Sequence, residues 1–379
     1  MKLARQVPFY YYLILLAATT IVVGIQWDIS WHSSIGRDKL LSPPHVVVYM
    51  GGVICGLICT YIVFKETFFT KSSDGVRFWG FQAPLACWIC IWGMIAMLAS
   101  APFDDWWHNA YGLDVQIISP PHIILAMGIF SVILGSCILI LTKKNVNPSN
   151  VVYDILYIYA ASLILVQFSI ILTEYSFTNK QHSYEFYKIS SILYSFVLIA
   201  FKMPSKYKFS ATYISIAYML HRMLIVWILP LFSAEPLLGP IHREVTSYVA
   251  PYFPVLLFIP ALIIDLLYPK IQFKNIFTKS IVIASIFSFI LLIIQWNFSI
   301  FLLSDYANNW VFASGANVPY FIPVGPWEGK FFLYDITPYG GRITLGEMSI
   351  INFIKICIYS AFSVLIAFQL SNWLKEIKR

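Results

Sequence analysis

Six side chains in the first 122 residues have the types and spacing of a metal site: Asp28, His32 and His45, then Asp104, His108 and His122. In each set the carboxylate and the first imidazole stand four residues apart, so a helix running through them puts both on one face. The second imidazole follows directly after Pro43-Pro44 or Pro120-Pro121. Proline fixes φ and is tolerated in a first helical turn, so each pair starts a helix and holds its histidine at that start. Two imidazoles and one carboxylate per copy suit a transition metal. Copper, zinc, iron and manganese all accept such a set, and four imidazoles pooled in one centre would favour copper or zinc. Mutual hydrogen bonds and interfacial water could satisfy one copy without a metal. Two copies in the same order, near membrane depth where ionisable groups are costly, point to function.

The two sets belong to an internal repeat in which residues 27–50 align with 103–127. It pairs Asp28 with Asp104, Trp31 with Trp107, His32 with His108, Gly36 with Gly112, Asp38 with Asp114, and Ser42-Pro43-Pro44-His45 with Ser119-Pro120-Pro121-His122. Asp38 and Asp114 are candidates to orient ring N–H groups, or else solvated loop carboxylates. Arg37, with Leu113 opposite it, is placed to pair with Asp38. Trp27, Trp31, Trp106 and Trp107 read as interfacial belt residues. A faint third copy, Ala250-Pro251-Tyr252, would carry Tyr252 in place of the histidine.

The elements that must position these residues are membrane helices. The chain of 379 residues is 59% hydrophobic and only 11% charged, against roughly 25% charged in soluble domains. Apolar runs of about 20 residues recur, each able to cross a hydrocarbon core of about 30 Å. Backbone in lipid must be bonded within its own segment, so the runs are helices. The expected fold is an all-α polytopic transmembrane bundle with spans at about 7–26, 44–64, 78–101, 121–142, 152–173, 188–204, 209–233, 249–268, 280–303 and 348–371. An even number of spans puts both termini on one side. The termini and the loops sharing their side hold 16 of the 25 Lys and Arg residues, so both termini are expected to be cytoplasmic and both motifs on the outer face. Residues 1–145 then form two repeated hairpins joined by a polar connector at 65–77, and 146–379 supply six more spans with a long outer loop at 304–347 that would cap the outer face. The net charge of +7 follows this topology. No basic cluster is dense enough for a phosphate-tracking surface, so nucleic acid is not an expected partner and membrane lipid is.

The run Asp28-x-x-Trp31-His32-x4-Arg37-Asp38-x6-His45 resembles the metal-binding segment of the C subunit of particulate methane and ammonia monooxygenases, the copper membrane monooxygenases. That family has a later Asn-x3-His-x13-His segment, which Asp104, His108 and His122 match in spacing. The resemblance spans about residues 25–145 and leaves the last six spans uncovered. It implies copper as the cofactor, Asp28, His32, His45, His108 and His122 as ligands, oxidation of a small apolar substrate with O2, and a bacterial inner membrane with the motifs toward the periplasm. It also implies partner subunits, a homo-oligomer being the other arrangement. Asp104 departs from the family by placing an anion where it has a neutral amide, and this chain carries no soluble cupredoxin domain.

Two other readings compete with an oxidase. A non-catalytic carrier or sensor would use the same ligands for copper, zinc or iron. A membrane cytochrome b would need haem-bridging helices, but Gly36, Arg37, Asp38, Lys39 and Pro43-Pro44 between the first two histidines fit no single span. His221 and Arg222 in the seventh span could form a proton relay, with Asp265 as the expected partner. Cys87-x2-Cys90 and the pair Cys55 and Cys59 lie in apolar spans, where packing is the expected role. Single histidines at His182 and His242 read as solvated. No phosphate-binding loop, dinucleotide fingerprint or zinc-protease motif occurs.

Overall fold

A computed structural model describes residues 7–36, 39–70, 75–112, 119–237, 245–307, 309–313 and 348–378. Its helices are α1 (Tyr10–Ser34), α2 (Pro43–Phe64), α3 (Leu85–Tyr111), α4 (Pro120–Val146), α5 (Val151–Ile171), α6 (Tyr184–Lys202), α7 (Ser210–Ile228), α8 (Phe258–Leu267), α9 (Ile276–Leu302) and α10 (Ile350–Glu376). A short antiparallel hairpin, β1 (Val76–Phe78) with β2 (Phe81–Ala83), lies between α2 and α3. Among the described residues nine helices are long and apolar enough to cross a membrane. The chain is therefore an integral membrane protein of the all-α polytopic class. Leu57, Leu98, Met127 and Phe289 stand exposed on these helices, where lipid rather than water is the natural neighbour.

The eighth expected span, at about 249–268, is not a crossing helix. Only α8, of 10 residues, forms there, and the chain before it is not helical. Pro251 and Pro254 remove two backbone donors and block helical propagation. Buried side chains satisfy the unwound backbone instead. Val249 N–H donates to Ser34 Oγ at 2.8 Å, and Ser30 Oγ donates to Val249 O at 2.6 Å. Arg222 Nη2 donates to Tyr252 O at 3.4 Å, and Leu256 N–H donates to Gln295 Oε1 at 2.9 Å. Gln295 Nε2 in turn donates to Gln181 Oε1 at 2.7 Å. Irregular backbone at membrane depth is tolerated only where protein or enclosed water meets it, and here protein does. Because the helix starts at Phe258, Tyr252 does not occupy the helix-start position of the two histidine copies.

The chain divides into two compact units, the first comprising Met1–Asp28, Asp38–Ile164 and Leu374–Arg379. Helices α3 and α4 cross glycine to glycine. A Cβ on Gly93 would lie 2.8 Å from Gly128 O, and one on Gly128 would lie 2.7 Å from Gly93 O. Small residues at such a crossing let backbones approach, which holds the end of α3 beside the start of α4. Buried Lys144 and Asp154 pair at 3.3 Å where α4 gives way to α5. Asn145 Nδ2 donates to Leu374 O and Ile377 O, fastening the C-terminal end of the chain to this unit.

The second unit comprises Ile29–Arg37 and Leu165–Trp373. Asp265 on α8 is fully buried, pairs with Lys202 of α6, and accepts Thr212 N–H and Oγ1–H at 2.8 and 2.7 Å. This corrects the expectation that Asp265 serves Arg222. The carboxylate sits at the N-terminal turn of α7, whose unpaired N–H groups and dipole favour an anion. Arg222 lies about 15 Å further along that helix. His182 also departs from expectation, because it is buried rather than solvated. Its Nε2 lies 3.0 Å from Ser299 Oγ and 3.2 Å from Trp296 O, with the ring edge-on to Trp296. Burial pushes its pKa below the ordinary histidine value. Arg37, Asp38, Asp114, His242 and most of the 304–347 segment lie outside the described residues.

Candidate metal centre

The second copy is built by α3 and α4 alone. Helix α3 runs on past the expected end near residue 101 and carries Asp104 and His108 on one face before ending at Tyr111. Gly112 then takes φ 98° and ψ 165°, a region essentially restricted to glycine. Helix α4 begins at Pro120-Pro121, and Ser119 Oγ accepts His122 N–H at 3.4 Å, fixing that histidine in the first turn. The three side chains converge. His108 Nε2 lies 3.5 Å from Asp104 Oδ2, and His122 Nε2 lies 3.4 Å from Asp104 Oδ1. One ligand atom from each residue falls within 4.8 Å of the others. Trp106 and Trp107 pack with Phe103 and Tyr111 beside this cluster.

Ring orientation decides what such a cluster can hold. His108 Nδ1 lies 3.3 Å from Gly112 O, and a carbonyl oxygen can only accept, so Nδ1 carries the proton. In the neutral ring Nε2 is then a bare lone pair facing a carboxylate oxygen. Two acceptors in contact need a cation between them, either a second proton on the ring or a metal ion. Backbone carbonyls that fix the Nδ1–H tautomer are the usual supports of metal-ligating histidine. Asp104 Oδ1 is shielded from solvent and makes no hydrogen bond, which leaves a lone pair for an ion. With ligand arms of about 2.1 Å, a nitrogen–oxygen separation of 3.4 Å subtends about 110°, close to tetrahedral. The residues present therefore fit a transition-metal ion.

In the first copy the same local device recurs. Helix α1 continues through Asp28 and His32 to Ser34, beyond the apolar run. Gly36 has φ 92°, and its carbonyl lies 3.1 Å from His32 Nδ1. His45 Nδ1 lies 3.0 Å from Lys39 O, and His45 Nε2 lies 3.3 Å from Asp28 Oδ1. The structure thus brings Asp28 together with His45, and Asp104 with both His108 and His122. His32 falls in the second unit. Tyr49 lies one turn beyond His45 on α2, and Ser100 Oγ on α3 donates to Met97 O at 2.6 Å. The use of the repeated glycine carbonyls as acceptors for the ring N–H groups was not read from the sequence, although His-x3-Gly is visible in both copies.

Among the described residues a second convergent set exists, formed by Cys55, Cys59 and Cys90. Comparison of the chain with family models, with curated proteins and with solved structures finds no match.

Proposed function

We propose that this integral membrane protein binds a transition metal at Asp104, His108 and His122, with Asp28 and His45 forming a second carboxylate–imidazole pair, and that the metal is copper. The observation that carries this reading is the proton held on His108 Nδ1 by the Gly112 carbonyl, which turns the Nε2 lone pair toward Asp104. His122 supplies the second nitrogen from the helix start that Pro120-Pro121 fixes. Copper, over zinc or iron, comes from the likeness of the motif to the copper membrane monooxygenase C subunit. When bound, the ion would supply Lewis acidity and one-electron redox chemistry toward O2. Three protein donors leave coordination positions for an outside ligand, as catalytic sites do, which favours the oxidase reading over a closed structural site. On that reading the protein works with further subunits on a small apolar substrate reaching the site through lipid. Asp104 would balance the charge of the ion, and the carbonyls of Gly112 and Lys39 would hold the ring protons away from it.

The test is metal analysis with electron paramagnetic resonance of the full chain in lipid nanodiscs. The wild type should bind copper(II) with nitrogen hyperfine structure, and an Asp104→Ala/His122→Ala variant should lose it. A wild type without that copper(II) signal, or a variant that keeps its nitrogen hyperfine structure, would overturn the site. Reductant-driven O2 consumption that rises with small hydrocarbons or ammonia would mark an oxidase; binding without such uptake would mark a carrier or sensor.

A further inference from the structure

The five cysteines of the first unit are not scattered. Cys55 and Cys59 occupy one face of α2, four residues apart, and Cys90 reaches them from α3, the three sulfurs lying within 4.8 Å of one another. All three side chains have no solvent exposure. Thiol contacts link Cys55 with Cys59 and Cys90, and Cys59 also with Cys87. None of the cysteines forms a disulfide. Ser136 Oγ lies 3.6 Å from Cys55 Sγ, and Cys90 Sγ donates to Val132 O at 3.7 Å. Packing explains a small apolar side chain at each of these positions. It does not explain why three of them are soft ligands aimed at one point, since alanine, serine or valine would fill the same space.

Two further sulfurs extend the pattern. Gly52 and Gly56 on α2 leave room that the thioethers of Met97 and Met94 on α3 fill. Along α3, Met97 is about 10 Å and Cys90 about 21 Å from Asp104, at a rise of about 1.5 Å per residue. Soft sulfur donors therefore run from one end of the Asp–His cluster into the apolar middle of the hairpins. Thiolate ligands suit copper(I), zinc and iron–sulfur clusters, and thioethers beside them favour copper(I), since zinc takes Cys, His and carboxylate ligands. Charge favours copper(I) too. A monovalent ion needs only one thiolate to leave the buried cluster neutral, whereas a divalent ion needs two deprotonations in the same dry site.

We propose that Cys55, Cys59 and Cys90 form a second metal site that binds copper(I), separate from the Asp–His centre and standing whether or not that centre holds metal. The site binds one ion with release of one thiol proton.

The experiment is anaerobic copper(I) titration of the full chain in lipid nanodiscs against a chromogenic copper(I) chelator, with X-ray absorption at the copper edge. A variant Asp104→Asn/His108→Ala/His122→Ala should still take up one copper(I) per chain in a shell of sulfur alone. Cys55→Ser/Cys59→Ser/Cys90→Ser should lose that equivalent, while Cys137→Ser keeps it. On the unaltered protein, copper(I) should slow alkylation of Cys55, Cys59 and Cys90 by N-ethylmaleimide at least tenfold and leave Cys357 unchanged, a readout that does not depend on the variant folding. The proposal fails if the Asp–His variant takes up no copper(I), if the shell holds no sulfur, if the serine variant retains the ion, or if alkylation of the three cysteines is unprotected. Loss of copper(II) at the Asp–His centre with these results intact would sink the proposed function and leave this site standing.

Discussion

Asp104→Asn isolates the charge of the proposed centre, because the amide keeps an oxygen where the carboxylate had one. The Asp104 side chain is 21% exposed, so the screening of bulk water sets a lower bound on what its charge contributes. At a ligand distance of about 2.1 Å and a dielectric constant of about 80, a unit charge attracts a divalent ion by roughly 4 kcal/mol. That corresponds to roughly a thousandfold in affinity at about 1.4 kcal/mol per decade, and to roughly 30-fold for a monovalent ion. The assay is competition of zinc(II) or copper(II) binding against a chelator of known affinity, in nanodiscs at neutral pH. Asp105→Asn is the control, since Asp105 is exposed on the same helix turn and its carboxylate contacts only Asn109 among its described hydrogen bonds. The variant at 104 should lose about a thousandfold and the variant at 105 no more than a few-fold. Equal effects at both positions, or a loss under tenfold at 104, would refute the placement of the carboxylate against the ion.

Gly112→Ala should cost about 1–3 kcal/mol in stability, because φ 98° and ψ 165° admit only glycine, and should weaken metal binding about 10- to 100-fold by moving the carbonyl off His108 Nδ1; thermal unfolding and the same titration read both. Asp265→Ala should destabilise by about 3–5 kcal/mol by leaving Lys202 buried without its anion, whereas a Lys202→Met/Asp265→Leu pair should recover much of that in detergent unfolding. Gln295→Leu should cost about 1–3 kcal/mol, since the Leu256 N–H and the Gln181 amide would both lose a partner. The lowered pKa of His182 means the unfolded chain binds more protons between that value and about 6.5, so stability is full above about 6.5 and falls as pH drops through the window; His182→Gln should flatten that part of the unfolding profile, and an unchanged slope would exclude His182 as its cause.

The parts of the fold that were legible in the sequence are those set by local chemistry. Hydrophobic length located nine of the crossing helices, and Pro-Pro located the starts of α2 and α4. The four-residue spacing of Asp28 with His32 and of Asp104 with His108 put each pair on one face only if the helix continued, and α1 and α3 do continue, past the ends expected near residues 26 and 101. What was not legible depends on partners distant in the chain. Residues 249–268 have the length and hydropathy of a span, yet Pro251 and Pro254 unwind its first half. The unwinding is possible because Ser30, Ser34, Arg222 and Gln295, from three other segments, meet the backbone. The choice of Lys202 over Arg222 by Asp265 likewise rests on the start of α7 lying beside α8, which no spacing encodes. The cysteines looked like packing because two fall on α2 and one on α3, and only the approach of those helices gathers them.

A ring proton and a metal ion call for different spacings between an imidazole nitrogen and the carboxylates of Asp28 and Asp104. An imidazolium donating to a carboxylate closes to about 2.7–2.9 Å. Three separate contacts, His45 to Asp28, His108 to Asp104 and His122 to Asp104, instead stand at 3.3, 3.5 and 3.4 Å. They are long by a similar amount in two copies that share no side chain. For His108 and His45 the opposite face of the ring is held by a backbone carbonyl, Gly112 O or Lys39 O, so the ring cannot simply slide toward the acid. Separations of this width are longer than a strong ionic hydrogen bond and compatible with an ion on arms of about 2.1 Å. On the proposed reading a single metal ion between the three groups at Asp104 would place its positive charge in the last turn of α3, where the helix dipole favours it, and the carbonyl that fixes the His108 tautomer comes from a glycine in a conformation no other residue adopts readily.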